Sequence, residues 1–522
     1  MTNEAANIEE AQGKFGVPKS EQMQSDPLFI DWNTDEFKEI LKFLAIPAVF
    51  AFFALILGVV PRAGLYIFAF FYGLALVKKS LDNPEYLMAC FVFYIPLSSM
   101  MPVSIVTGLN ATNLFLMMLI ALAFLDRKPA LNHTDSGAFD MDQIGIFPDV
   151  QRGVDTPLLK FYMFYTTLSG VTAIIANGVG HILSDHLLTY KGWVDQLLLV
   201  FVFAALIKDS PRAVRLVVYM MMAHVIIVIL GLQEAFDKAG LSSIEKSRVS
   251  GTINNPNDFG ALVVYTSAPF VGMCMVLLPK FFKLAPFAFQ LLLMVRVMLA
   301  TFSRGAYVAI ALGTIAASYV RGIKFSLAMG SIALVAVMLF PSLVPTSLMD
   351  RLDLSEDPSH VYIEEAEPAL DKSSTMRFLM WTSAVQMSLE APIFGKGFKM
   401  FENLIYSYAG DDIEISDPHN MYLYISSQMG IPAVIIFTLL WVVLFFRSNY
   451  LYNQYSQNFV QAIALGGAFV AAAVASFNLT GSRMVSLETC GFAYLYILVI
   501  NRLHQDLKSY RLRNEKPPEF DI

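Results

Sequence analysis

Charge is what this chain has least of. Only 15% of its 522 residues are Asp, Glu, Lys or Arg, against roughly 25% in soluble globular proteins. Hydrophobic residues make up 56%. Many long apolar runs accompany that shortage, which excludes a soluble protein built around one large core. The net charge of −7 is small for this length and offers no basic surface for nucleic acid. Cysteine is scarce too. Cys90, Cys274 and Cys490 each fall in an apolar run, which excludes a disulfide framework and a cysteine metal site. No basic segment leading into an apolar stretch opens the chain, so no cleavable signal peptide is expected and the first span serves as an uncleaved anchor. No internal repeat is visible, which weighs against inverted-repeat transporter folds.

What is present is a succession of apolar runs. They predict an all-α polytopic membrane protein of about 12–14 transmembrane helices at ~20 residues each. Residues 1–42 read as an N-terminal tail, 43–346 as membrane helices, 347–420 as one large polar loop with short helices, 421–501 as the C-terminal membrane helices and 502–522 as a basic tail. Within that scheme the third span covers 86–105, the seventh 214–232, the ninth 286–302 and the twelfth 421–446. Lys78, Lys79, Arg127, Lys128, Lys208, Arg212, Lys280, Lys283, Arg321, Lys324 and Arg447 all fall in one alternating set of connections. By the positive-inside rule that set is cytoplasmic, with both termini inside and the large loop outside.

The loop is acidic, with fourteen acids against five bases from Ser347 to Asp417. Asp411, Asp412 and Glu414 lack the spacing of a cation site and read as a solvated face. A helix is expected from Ser373 or Ser374, with Arg377 and Trp381 on one face and Pro392 beyond its end. Its apolar side suits the outer membrane surface. Gly395-Lys396-Gly397 is either a close backbone approach to a ligand or a helix-ending turn. Elsewhere, Arg296 lies inside the ninth span, where a charge is costly and often functional. His224 in the seventh reads as a helix–helix hydrogen bond, and His181 and His186 as solvated residues. Arg483, in the last external turn, reads as a substrate contact or a marker of the membrane edge, the latter favoured.

His419-Asn420, followed after nine residues by Gly430-Ile431-Pro432-Ala433, resembles the signature of the O-antigen ligase family. That superfamily also holds O-antigen polymerases and bacterial protein O-oligosaccharyltransferases. Arg377-x3-Trp381, Pro392 with Gly395-x-Gly397, Ser303-Arg304-Gly305 and the run from Arg248 to Asn257 are similar to further family elements in the same order. Ala433 and the higher span count depart from the ligase pattern. The resemblance implies a GT-C-like membrane glycosyltransferase with no cofactor and no essential metal. It would act at the periplasmic side of the bacterial inner membrane, on a glycan carried by undecaprenyl diphosphate. The acceptor would be a hydroxyl on a glycan or on lipid A-core. A flippase and a chain-length regulator are the partners the family implies.

Chemistry then sorts the residues. A diphosphate leaving group needs cations, and arginine stays charged and matches phosphate oxygens. An acceptor hydroxyl needs a base, and histidine titrates near ~6.5. His419 is the expected base and Arg377 its catalytic companion. Arg377, Arg304 and Arg248 are the expected diphosphate ligands, with Asn420, Gly430 and Trp381 as motif support. Surface polysaccharide polymerisation is favoured slightly over ligation to lipid A-core. A protein O-oligosaccharyltransferase and an anion transporter are the alternatives.

Overall fold

The computed structural model describes residues 73, 75–100, 104–106, 109–125, 153–177, 187–238, 247–278, 280–339, 372–410 and 417–512. They fall within one compact unit, 61–517. The first expected span, most of the second (which ends at Val77), His181, His186, residues 340–371 and the Asp411, Asp412, Glu414 cluster lie outside the described residues.

The chain runs α1 (Glu85–Tyr94), a 3-10 turn (Ile95–Met100), strands β1 (Ser104–Val106) and β2 (Leu109–Asn110), α2 (Ala111–Leu125), α3 (Pro157–Asn177) and α4 (Leu187–Leu206). It continues with α5 (Ser210–Asp237), α6 (Pro256–Thr266), α7 (Ala268–Leu277), α8 (Phe281–Ala300), α9 (Arg304–Arg321) and α10 (Ile323–Leu339). The polar loop contributes α11 (Lys372–Glu390) and α12 (Met400–Ala409). Then come α13 (Met421–Met429), α14 (Ile431–Gln454), α15 (Asn458–Phe477) and α16 (Leu487–Leu512). Among the described residues, five stretches are long and apolar enough to cross a membrane: Ser210–Asp237, Pro256–Leu277, Phe282–Ala300, Ile431–Gln454 and Asn458–Phe477. The chain is thus a helical, multi-pass membrane protein.

Two expected spans are broken. The third stops as an α-helix at Tyr94. Pro96 cannot donate to the helix ladder, so the backbone tightens to 3-10 geometry, with Ser98 Oγ donating to the Ile95 carbonyl at 2.9 Å. An antiparallel β1–β2 ladder follows. The twelfth divides at Gly430, whose φ of 91° ends α13 so that α14 starts afresh at Ile431-Pro432.

Helix α15 is the hub, packed by α7, α9 and α14. Its neighbours come close because small residues face each other. A Cβ placed on Gly272 of α7 would lie 2.0 Å from the Ala462 carbonyl oxygen, and one on Gly466 would lie 2.9 Å from that of Ala268. Gly313 of α9 abuts Phe469 in the same way. Small residues permit such close packing where lipid offers no hydrophobic drive. His224 joins α5 to α6 through Thr266 Oγ1 at 2.8 Å, the helix–helix bond expected of it. Buried Glu85 ties α1 to α5 by accepting from Arg212 Nε at 3.0 Å and Arg215 Nε at 2.7 Å.

Helix α8 is peripheral: its apolar window is 22% buried, against 89% for α6–α7. Arg296 is exposed on it and so lines no interior cavity.

Substituting Gly272→Leu pushes a side chain into the α15 backbone. Overpacking of this kind costs about 1–3 kcal/mol. The unfolding temperature in detergent should fall accordingly, while Gly330→Leu, with nothing within 4 Å of its Cβ position, should leave it unchanged.

Candidate active site

The site lies where the polar insert meets the end of α15. Asn420 is the N-cap of α13: its Oδ1 accepts from the Tyr422 N–H at 3.0 Å and the Leu423 N–H at 3.2 Å. His419 immediately precedes the cap and has a left-handed backbone, φ 49°. Trp381 Nε1 on α11 donates to the Pro418 carbonyl at 2.7 Å, fixing the peptide before His419. Thus Trp381, Asn420 and His419, read from the sequence as parts of one motif, do meet.

Gly430 and the Gly395–Gly397 turn form a second junction. The Ile431 N–H bonds the Pro392 carbonyl at 2.8 Å, Lys396 N–H the Ser427 carbonyl at 2.8 Å and Gly397 N–H the Gln428 carbonyl at 3.1 Å. A Cβ on Gly395 would lie 2.3 Å from the Gln428 backbone and one on Gly430 2.0 Å from the Ile393 carbonyl. The close approach expected of these glycines is therefore to another stretch of backbone. It docks the end of α11 onto α13.

The insert has its own small core, formed by Met380, Ala384 and Met387 of α11 with Phe401 and Ile405 of α12. A second apolar stripe of α11 stays exposed: Phe378, Val385 and Leu389, continued by Ile393. The expected apolar side of α11 thus divides in two, one half against protein and one uncovered.

Four charged side chains act on the His419 imidazole: Asp417, Arg483, Arg377 and Asp258. Burial depresses its pKa most, and Arg483 and Arg377 push the same way, while Asp417 and Asp258 oppose them; the net result lies below 6.5. The ring is half-buried, and its Nδ1 has no hydrogen-bond partner. Arg483, favoured from the sequence as a membrane-edge marker, acts on this ring. It is buried, its Nη1 pairs with Asp258 Oδ1 at 2.8 Å, and its Nε is unpartnered. Asp258 is set in the first turn of α6 by Asn255, whose Oδ1 caps that helix. No spacing along the chain links Arg483 to His419; only the fold does.

The other expected arginines are placed differently. Arg248 Nε donates to the Thr301 carbonyl at 3.1 Å and Nη2 to Asn257 Oδ1 at 3.0 Å, so it braces the α8–α9 turn against the start of α6. Arg304 begins α9 and is exposed. Its neighbour Gly305 packs on Phe477 and Thr480, which puts it at the same end of the bundle as His419. Among the described residues no three His, Cys, Asp or Glu side chains gather as metal ligands.

Replacing Arg483 with Gln removes a cation from beside His419 and frees the Asp258 carboxylate. Both changes favour imidazolium. Titration of the His419 ring by NMR should show its midpoint moving up.

A comparison with curated proteins finds no match. Residues 289–438 match the family model described as O-antigen ligase. The matched stretch starts within α8 and ends within α14, so it takes in Arg304, Arg377, Trp381, His419, Asn420 and Gly430 and leaves out Arg248 and Arg483. The stretch that carries His419 and most of its motif residues, 289–438, is thus similar to the O-antigen ligase family.

Proposed function

We propose that this membrane enzyme transfers or polymerises oligosaccharide from undecaprenyl diphosphate onto a hydroxyl acceptor at the periplasmic face, in surface polysaccharide synthesis. The observation that carries the reading is a half-buried imidazole whose pKa is lowered by burial and by the charges of two arginines, Arg483 and Arg377. The segregation of Lys and Arg to the opposite connections supports the periplasmic placement.

In the reaction, the acceptor oxygen attacks the anomeric carbon of the donor sugar. The bond from that carbon to the diphosphate breaks, and the acceptor proton passes to His419. The departing diphosphate carries the electron pair away as an anion. Arg377 and the unpartnered Nε of Arg483 stabilise it, in a half-buried setting where such interactions count for more than in water. Arg304 meets the diphosphate at the rim as the donor enters. Arg248 supports the wall behind it. Arginines meet the phosphate charge without a metal, so transfer by the purified protein should survive EDTA.

His419→Ala, expressed in a strain lacking its own copy, should abolish the product with the protein still in the membrane. Removing a general base costs about 10²–10⁴-fold. Accumulation of single lipid-linked repeats identifies a polymerase, which we favour. Intact polymer that fails to reach lipid A-core identifies a ligase. Unchanged surface glycan would sink the reading and favour a transporter.

The pH dependence follows from the neutral base. Because the His419 pKa is depressed below 6.5, kcat/KM should rise with pH through a midpoint below that value and then level off. A midpoint above 7 would contradict it.

A further inference from the structure

Asp417 makes contacts that base and cations alone do not require. Its Oδ1 accepts the His419 backbone N–H at 2.9 Å and the Ser482 hydroxyl at 2.6 Å. Its Oδ2 lies 3.6 Å from His419 Nδ1, just beyond a hydrogen bond. That nitrogen is buried without a partner. One carboxylate therefore does two things. Through Oδ1 it closes an Asx turn that holds the left-handed backbone of His419. Through Oδ2 it faces the ring nitrogen turned away from solvent. Pro418 between them removes a backbone freedom, and Trp381 holds its carbonyl. Ser482 comes from a different part of the chain, the loop after α15, and so locks the carboxylate from behind.

We infer that Asp417 is a positioning residue for His419: it keeps Nδ1 protonated and turned inward, presents Nε2 to the acceptor hydroxyl, and pairs with the imidazolium formed during transfer. The assignment rests on the proposed role of His419 as base. When the acceptor O–H proton moves to Nε2, the ring gains a positive charge. A closure of a few tenths of an ångström then converts the 3.6 Å contact into a charge-assisted hydrogen bond. The proton leaves to water once the new glycosidic bond has formed and the diphosphate has departed. Asp258 is the other carboxylate acting on this ring, and it is engaged by Arg483. Arg377 acts from α11. Of the four charges, Asp417 is the one placed against Nδ1.

The test separates charge from shape. In Asp417→Asn the amide oxygen can still accept from His419 N–H and Ser482, so the turn is kept and only the charge is lost. Full-length protein in proteoliposomes, supplied with lipid-linked donor, is assayed across pH 5–9. The expected result is a fall in kcat of at least about tenfold, with donor KM unchanged. The acidic limb of the profile should also move to lower pH, because the charge that favours imidazolium is gone. A purely structural Asp417 leaves that limb in place. An unmoved limb with wild-type kcat overturns the inference. If D417N fails to fold, S482A decides, since it keeps the charge but loses the lock: a severalfold loss of kcat with the limb unmoved is expected, and wild-type kcat overturns the inference. The parent reading fails separately, when H419A retains full transfer. An inactive H419A beside a fully active D417N sinks the Asp417 role alone.

Discussion

One buried side chain, Asn478, holds both walls of the His419 site. It follows the last residue of α15, and its own N–H and Nδ2 finish that helix on the Val474 carbonyl. Its carbonyl accepts the Met421 N–H at 2.8 Å, which seats the first turn of α13 just past His419. Its Oδ1 accepts the Arg483 N–H at 3.0 Å, which turns the following loop toward Asp258. Nδ2 also reaches the Tyr265 hydroxyl on α6 at 3.3 Å. Base, cation and supporting carboxylate come from segments far apart in sequence. A single asparagine in a dry position, with each of its polar groups engaged, converts the end of a transmembrane helix into a reference point for all three. This works only because α15 is itself immobilised by close contact with α7, α9 and α14, where glycines let backbones touch.

Two carboxylates and two arginines act on His419 in opposite directions, and that opposition has a chemical use. Two arginines alone would hold the ring neutral but would also oppose the imidazolium that catalysis requires. Two carboxylates alone would tend to protonate it in the resting state. With Arg483 tied to Asp258, the cation stays available to an incoming anion while its field at the imidazole is partly offset. Burial then decides the resting state in favour of the neutral ring. For the donor proposed here, arrival of the diphosphate adds negative charge beside the arginines and makes proton uptake by His419 easier. The base thus strengthens when substrate is present, with no conformational change needed.

The legible parts of this protein were those written in local pattern. Apolar runs of helical length marked α5, α14 and α15, and a Ser-rich start with apolar spacing marked α11. His419-Asn420 and Gly430 stood out because a cap and a helix break each demand a particular residue at a particular place. What could not be read depends on contacts between distant segments. Arg483 sits in a short loop between two apolar helices, where an arginine ordinarily marks the membrane edge. Only the Asn478 turn aims it at Asp258. Arg248 matched a family element, yet its guanidinium braces the α8–α9 turn. The break of the 421–446 run was hidden because α13, although it carries Ser426, Ser427 and Gln428, leads straight into the apolar α14.

Helix α11 resolves a conflict between the insert's charge and the proposed donor. An acidic loop repels a diphosphate, and Arg377 alone offsets little of that. The helix, however, carries two apolar faces. One is sealed against α12 and α13. The other, Phe378 to Ile393, is uncovered and leads to a turn fastened onto α3. There Ser169 Oγ donates to the Phe394 carbonyl at 2.6 Å, and the Tyr165 ring stacks on Phe394. That part of α3 is itself exposed and apolar at Phe161, Phe164 and Leu168. Linked at the Phe394 contact, the exposed apolar residues of α3 and of α11 form a band. Arg377 is at the His419 end of that band, next to Phe378. For the donor proposed here, a long hydrocarbon tail would bring the substrate to such a band from the membrane. In that reading the lipid tail would supply much of the affinity, which would leave the arginines to act on the charge that develops as the diphosphate departs.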